Sequence, residues 1–83
     1  MYTVVIAASA RKEIRALPRE MQERVREAIL SLATDPRPFG YIKLHGREGY
    51  RIKVGVYRII YTIDDAGRVV IIAQVGHRRE IYR

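Results

Sequence analysis

Cysteine is absent from this chain. That excludes disulfides, thiol catalysis and cysteine-ligated metal. Histidine occurs only at positions 45 and 77, and the acidic residues do not cluster, so no transition-metal site is expected. No apolar run approaches the roughly 20 residues that span a bilayer. The N-terminus, Met-Tyr-Thr-Val-Val-Ile, lacks the basic region and long apolar core of a signal peptide. A cytoplasmic protein without a membrane partner is therefore expected. Acids are scarce: 9 Asp and Glu stand against 16 Lys and Arg, a net charge of +7. Such a balance favours nucleic acid, another polyanion or an acidic partner protein. Most of the excess falls after residue 42. With only 83 residues, the chain is expected to form one domain, 1–83, that buries roughly 60% of its unfolded surface. That allows a two-layer fold and leaves no room for a large internal pocket.

What is present is organised around Tyr50 to Tyr61, Tyr-Arg-Ile-Lys-Val-Gly-Val-Tyr-Arg-Ile-Ile-Tyr. Two alternating runs flank Gly55-Val56, and alternation of this kind is the signature of β-strands. Glycine at the first of two central residues suits a type II′ hairpin turn. The turn sets Val54 opposite Tyr57, Lys53 opposite Arg58, Ile52 opposite Ile59 and Arg51 opposite Ile60. One face then carries Tyr50, Ile52, Val54, Tyr57, Ile59 and Tyr61 as a core face. The other gathers Arg51, Lys53 and Arg58. Like charges directly opposite destabilise a strand pair, so the cluster reads either as an anion site or as the solvated face of a basic sheet.

Elsewhere, Tyr2 to Ala7 is β-rich and short. Ser9 is the expected N-cap of a helix starting at Ala10, with Ile14 and Leu17 inward. Pro18 is placed to open a second helix, whose stripe of Met21, Val25, Ala28, Ile29 and Leu32 reads as core rather than as a cofactor box. Glu20 stands four residues before Arg24, a favourable helical spacing. Thr34 to Gly40 is a breaker-rich loop, and Tyr41 to Gly49 is expected to be irregular. Strands follow at Gly49–Val54, Tyr57–Asp64 and Arg68–Val75. Asp65-Ala66-Gly67 reads as a three-residue turn with Gly67 in the left-handed position. That turn would set Arg58 opposite Gln74, with Gly76 and Arg78 continuing on the same face. The expected fold is α+β, β-α-α-β-β-β, its helical hairpin packed on one face of a mainly antiparallel sheet. The opposite face would then expose Ile60, Val70 and Ile72 among the cations, which suggests a partner surface.

The candidate site is Arg51, Lys53, Arg58 and Arg78, with Tyr82 and His77 nearby. Arginine forks match phosphate oxygens, and lysine acts as a mobile point charge. Lys53, an amine set among these cations, is the candidate base. Tyr82 offers a face on which an unstacked base can lie. RNA brings its own nucleophile, the 2′-OH. A protein need only deprotonate it, stabilise the charge on phosphorus and assist the leaving 5′-oxygen. The same residues would also serve a basic module that binds nucleic acid without cutting it.

The hairpin sequence, followed by Asp-Asp-Ala-Gly and then Val-Gly-His-Arg-Arg-Glu-Ile-Tyr-Arg, resembles the RelE family of toxins within the RelE/ParE superfamily. The resemblance covers nearly the whole chain, including the Leu-Pro joint of the helical hairpin. It implies a ribosome-dependent endoribonuclease that cuts messenger RNA in the ribosomal A site, with no metal or other cofactor. It also implies an acidic, RelB-like antitoxin that wraps the toxin, and operator DNA bound through the pair. Residue by residue, it implies Lys53 as general base, Arg51 where a second lysine is often found, and Arg58 as the stabiliser of transition-state charge. Arg78 matches the proposed general acid and Tyr82 the residue that stacks on the nucleotide. Arginine holds its proton tightly, so Arg78 is expected to stabilise charge first, and His77 is chemically the better acid. Arg47, Arg79 and Arg83 are further candidates for RNA binding. A ParE-type inhibitor of DNA gyrase on the same fold is the alternative the resemblance leaves open.

Overall fold

The computed structural model describes residues 1–82. In chain order it has β1 (Thr3–Ile6), α1 (Ala8–Arg15), α2 (Arg19–Ser31), β2 (Ile42–Lys43), β3 (Tyr50–Val54), β4 (Tyr57–Asp64) and β5 (Val69–His77). The strands form one sheet in the order β1-β5-β4-β3-β2. β1 runs parallel to β5, and the other pairs are antiparallel. This is the α+β arrangement expected, with one addition: Ile42–Lys43 pairs with Tyr50 and Arg51 as a short edge strand inside the segment expected to be irregular.

One face of the sheet packs on the helices. Ala10, Ile14, Val25, Ile29 and Leu32 meet Ile52, Val54, Ile59, Tyr61, Val70, Ile72 and Val75 in a single buried cluster. The α2 stripe thus lies where its spacing puts it. The helix starts differ from expectation. α1 begins at Ala8 after Ala7, so Ser9 lies inside the first turn and no side chain caps that end. Pro18 is the residue before α2, its carbonyl accepting from the amides of Met21 and Gln22. Glu20 and Arg24 form no ion pair; Arg24 instead approaches the Met21 sulfur.

The largest correction concerns β5. Asp64 pairs with Val69, so the β4–β5 loop spans residues 65–68, and Arg68, at φ +55°, takes the left-handed position. Gly67 is needed for another reason. The Asp64 carboxylate accepts from the Gly67 amide at 3.0 Å, and a Cβ at Gly67 would lie 2.6 Å from that carboxylate. One extra residue in the loop slips the register by one and turns every following side chain over. Val70 and Ile72 therefore point into the core, and both are fully buried. The partner surface expected to contain them does not exist in that form. A bulge at Ala73 then restores the parity: Ile60 pairs with Gln74 and Arg58 with Gly76. Gln74 and Gly76 so reach the helix-free face as expected, but Arg58 stands opposite Gly76 rather than Gln74.

The end of the sheet near the β4–β5 loop is pinned by polar contacts. Arg37 and Tyr2 both bond the Asp65 carboxylate, at 2.9 and 2.7 Å. These bonds hold the Asp65 carboxyl down at about 2. The Tyr61 hydroxyl donates to the Pro36 carbonyl at 2.7 Å and so fastens the loop after α2 to the sheet. No helix among the described residues is long and apolar enough to cross a membrane.

Candidate functional site

The helix-free face is built by the β3–β4 hairpin. Gly55 has φ +60° and Val56 does not have a positive φ, as a type II′ turn requires. The register is Lys53 opposite Arg58 and Arg51 opposite Ile60, in agreement with the sequence. Arg51, Lys53 and Arg58 therefore share one face, but they differ sharply in environment.

Lys53 is exposed and makes no side-chain hydrogen bond or ion pair among the described residues. Arg58, in contrast, is only 8% exposed and is the buried charged residue among the described residues. One terminal nitrogen donates to the carbonyls of Gly55 at 3.1 Å and Tyr57 at 3.0 Å. Its Nε is buried and has no partner among the described residues. No carboxylate of the described residues neutralises it; the ion pair found among them is Arg37–Asp65, outside the cation cluster.

The C-terminal turn folds back onto the strand pair that carries Arg58. The Arg78 amide donates to the Val56 carbonyl at 2.8 Å, and the amides of Glu80 and Ile81 return to the His77 carbonyl. Ile81 is thereby laid over Gly76, where a Cβ would come within 3.0 Å of it. Ile60 is also hidden, at 1% exposure. Beyond Ile81, the Tyr82 hydroxyl accepts from Arg51 at 3.0 Å, with the guanidinium 5.8 Å from the ring centroid. Arg47 reaches across the face to the Gln74 side-chain oxygen at 3.2 Å. His45, Arg47, Arg51 and Tyr82 border a cleft of about 320 Å³.

The fold thus brings Arg47, Arg51, Lys53, Arg58 and Tyr82 to one face. Arg78 and Arg79 are exposed at its rim, on the turn that follows β5. Arg83 lies outside the described residues. His77 does not join the set. It pairs with Tyr57 on the helix-facing side, its ring edge-on to Tyr57 at 5.8 Å. Its Nδ1 accepts from the Arg79 amide at 3.1 Å. Two features escape sequence reasoning. One is the burial of Arg58. The other is Phe39, fully exposed beside Lys53; its place in the Pro-Phe-Gly turn before the edge strand was the available signal.

A small mixed sheet with a helical hairpin on one face is the fold of a class of toxins from type II toxin–antitoxin systems. The profile of the ParE toxin of type II toxin-antitoxin system, parDE, matches residues 4–82. The chain belongs to this RelE/ParE toxin family, and within it the similarities are to RelE-type toxins. Toxin RelG of Mycobacterium tuberculosis is 34% identical over 99% of this chain and 97% of its own length. The toxin–antitoxin complex RelBE2 of the same organism superposes with a TM-score of 0.80, at 32% identity over 93% of this chain and 98% of that one. The RelE–RelB complex of Pyrococcus horikoshii gives 0.84, at 30% identity over 95% and 97%.

Proposed function

We propose that this toxin is an endoribonuclease that cuts messenger RNA in the ribosomal A site. The observation that carries the reading is Arg58. A buried guanidinium with an unpartnered Nε and no carboxylate beside it among the described residues is costly, and it lies directly across from a lysine that is exposed and unpaired among them. The negative charge of a phosphorane at Lys53 would be stabilised by both cations, by the lysine directly and by the buried guanidinium through its field.

In this reading Lys53 removes the proton of the 2′-OH, and the oxygen attacks the adjacent phosphorus. Arg51 and Arg58 stabilise the charge that develops on the phosphoryl oxygens. The P–O5′ bond breaks, leaving a 2′,3′-cyclic phosphate and a 5′-hydroxyl. Arg78, at the rim, stabilises the departing oxygen, which takes its proton from solvent or from the protonated Lys53. Tyr82, held by Arg51, orients the nucleotide. The cations supply the charge stabilisation, so the chemistry needs no metal. Because the set contains no strong acid aimed at the leaving group, free RNA is a poor substrate. The ribosome compensates by bending messenger RNA toward in-line geometry, and orientation can supply several kcal/mol.

An acidic antitoxin is the proposed partner, as RelB is for the RelE toxins of the solved complexes, and the pair would bind operator DNA. The surface that suits it is the groove of about 270 Å³ bordered by Ile6, Ile14, Ile29 and Leu30, which Arg11, Arg15 and Arg26 flank. Leu30 is largely exposed there.

The test is primer extension on ribosomes programmed with messenger RNA. The wild-type protein should cut, and Lys53→Met should lose about 10²–10³ in rate with an unchanged melting temperature, because Lys53 is exposed. Full cleavage by Lys53→Met overturns the assignment of the base. The matching profile carries the ParE name, so inhibition of DNA gyrase without RNA cleavage is the second reading, and a supercoiling assay decides for it.

A further inference from the structure

Phe39 is the fully exposed aromatic residue of a chain with only one phenylalanine. It does not hang on a loose loop. The Tyr41 amide donates to the Pro38 carbonyl at 3.0 Å, and Gly40 at φ +89° closes a bonded turn with Phe39 at its corner. That turn is fastened behind by the Tyr61 hydroxyl on Pro36 and by Arg37 on Asp65. Pairing of Ile42 with Arg51 runs the turn back along β3 toward Lys53. Phe39, Gly40, Ile42, Ile52 and Lys53 border a cleft of about 300 Å³. The second cleft, with Arg51 and Tyr82, lies on the other side of Ile42, which borders both.

The row Arg51–Lys53 therefore has an aromatic side chain at each end, Tyr82 beside Arg51 and Phe39 beside Lys53. A flexible exposed ring would lose conformational freedom on stacking; one fixed by its backbone loses less. Aromatic faces alternating with cations are how proteins hold unstacked single strands. We infer that Phe39 is a second stacking platform: it takes the base on one side of the phosphate at Lys53, while Tyr82 takes the base on the other side. The two nucleotides are splayed apart, which moves the 2′-oxygen toward the line of attack. The inference rests on the reading of the chain as an RNA-cutting toxin for its choice of ligand.

The probe is a 2′-O-methyl hexanucleotide, which lacks the nucleophile, carrying 2-aminopurine on either the 5′ or the 3′ side of its central phosphate. Stacking on an aromatic ring quenches its fluorescence. Titrations with wild-type protein at low salt should show quenching at both positions. Phe39→Ala should abolish it at one position and weaken binding about tenfold, Tyr82→Ala should abolish it at the other, and Phe39→Trp should restore the first. Thermal melts of Phe39→Ala should match wild type, since the ring is in solvent. Absence of quenching by wild type, or quenching by Phe39→Ala equal to wild type at both positions, overturns the inference. Primer extension in parallel separates the two readings. Cleavage without the quenching pattern removes the platform alone, whereas the pattern without cleavage upholds the platform and removes the nuclease.

Discussion

Arg58→Met is the substitution in which stability and function should part. Methionine keeps much of the buried arginine stem and removes the charge. What is lost is one nitrogen's bonds to the Gly55 and Tyr57 carbonyls. A hydrogen bond to a charged group contributes about 1.5–3 kcal/mol. These two share a single donor nitrogen and end on a turn open to water, so together they contribute about 2–3 kcal/mol. What is relieved is the buried, unpartnered Nε, at about 1–3 kcal/mol, and the like charge across from Lys53, at roughly 0.2–1 kcal/mol. The two sides nearly cancel. Arg58→Met should stay within about 1 kcal/mol of wild type, a shift in melting temperature of about 4–8 °C at most. Arg58→Ala should be worse, because it also removes the buried stem and leaves a cavity. Cleavage on programmed ribosomes should fall by about 10²–10³ in Arg58→Met, equivalent to about 3–4 kcal/mol of lost electrostatic stabilisation. A folded Arg58→Met that cuts at the wild-type rate would show that the guanidinium merely braces the hairpin. A loss of more than about 4 kcal/mol of stability would show that the carbonyl bonds dominate and that the unpartnered Nε carries little cost.

Tyr61→Phe should cost about 1–3 kcal/mol in urea unfolding, because it strands the buried Pro36 carbonyl. Burial pushes the Tyr61 hydroxyl up to about 12, so the wild type keeps this stability below pH 10 and loses it as pH rises from 10 toward 12. Tyr61→Phe should lack that part of the alkaline loss. His77→Ala should lower single-turnover cleavage less than about tenfold, since the ring lies on the helix-facing side; a far larger loss with an intact fold would restore it as the acid. Leu30→Asp should leave the melting temperature within about 2 °C and weaken antitoxin binding about tenfold or more in titration calorimetry, and antitoxin affinity equal to wild type would move the interface elsewhere.

The sequence discloses the hairpin of the site well and the strand beside it poorly, for one physical reason. Between Val54 and Tyr57 the turn has two residues, and glycine at the first restricts it to one hairpin geometry, so pairing and facing follow together. Between Asp64 and Val69 the same kind of inference picks a three-residue turn because Gly67 is the obvious left-handed residue. The structure gives that conformation to Arg68 and uses Gly67 to admit the Asp64 carboxylate. One residue of loop length then decides whether Val70 and Ile72 are core or surface. The bulge at Ala73 undoes the slip before the strand reaches the site, which is why Gln74 and Gly76 are placed on the correct face by an incorrect register. Burial patterning offered a check: Val70 and Ile72 alternate with Ile71, and all three are apolar, so the alternation gave no sign.

The state of Arg58 could not be read at all, because it depends on residues far along the chain acting together. Register brings Gly76 opposite it, and only a residue without a side chain leaves the space that Ile81 fills. Ile81 arrives there because the chain turns back on the His77 carbonyl while the Arg78 amide is held by Val56. The same turn sets Tyr82 against Arg51. A short C-terminal segment therefore converts three like charges on a strand face into a graded site: a desolvated arginine fixed by the backbone, an arginine steered by a tyrosine, and a lysine left free. Burial strengthens the field of the first at the position of the others. Preorganisation of that kind cannot be inferred from composition, since the cations would be as numerous on a solvated sheet. It comes from the way the hairpin, the bulge and the terminal turn are set against one another.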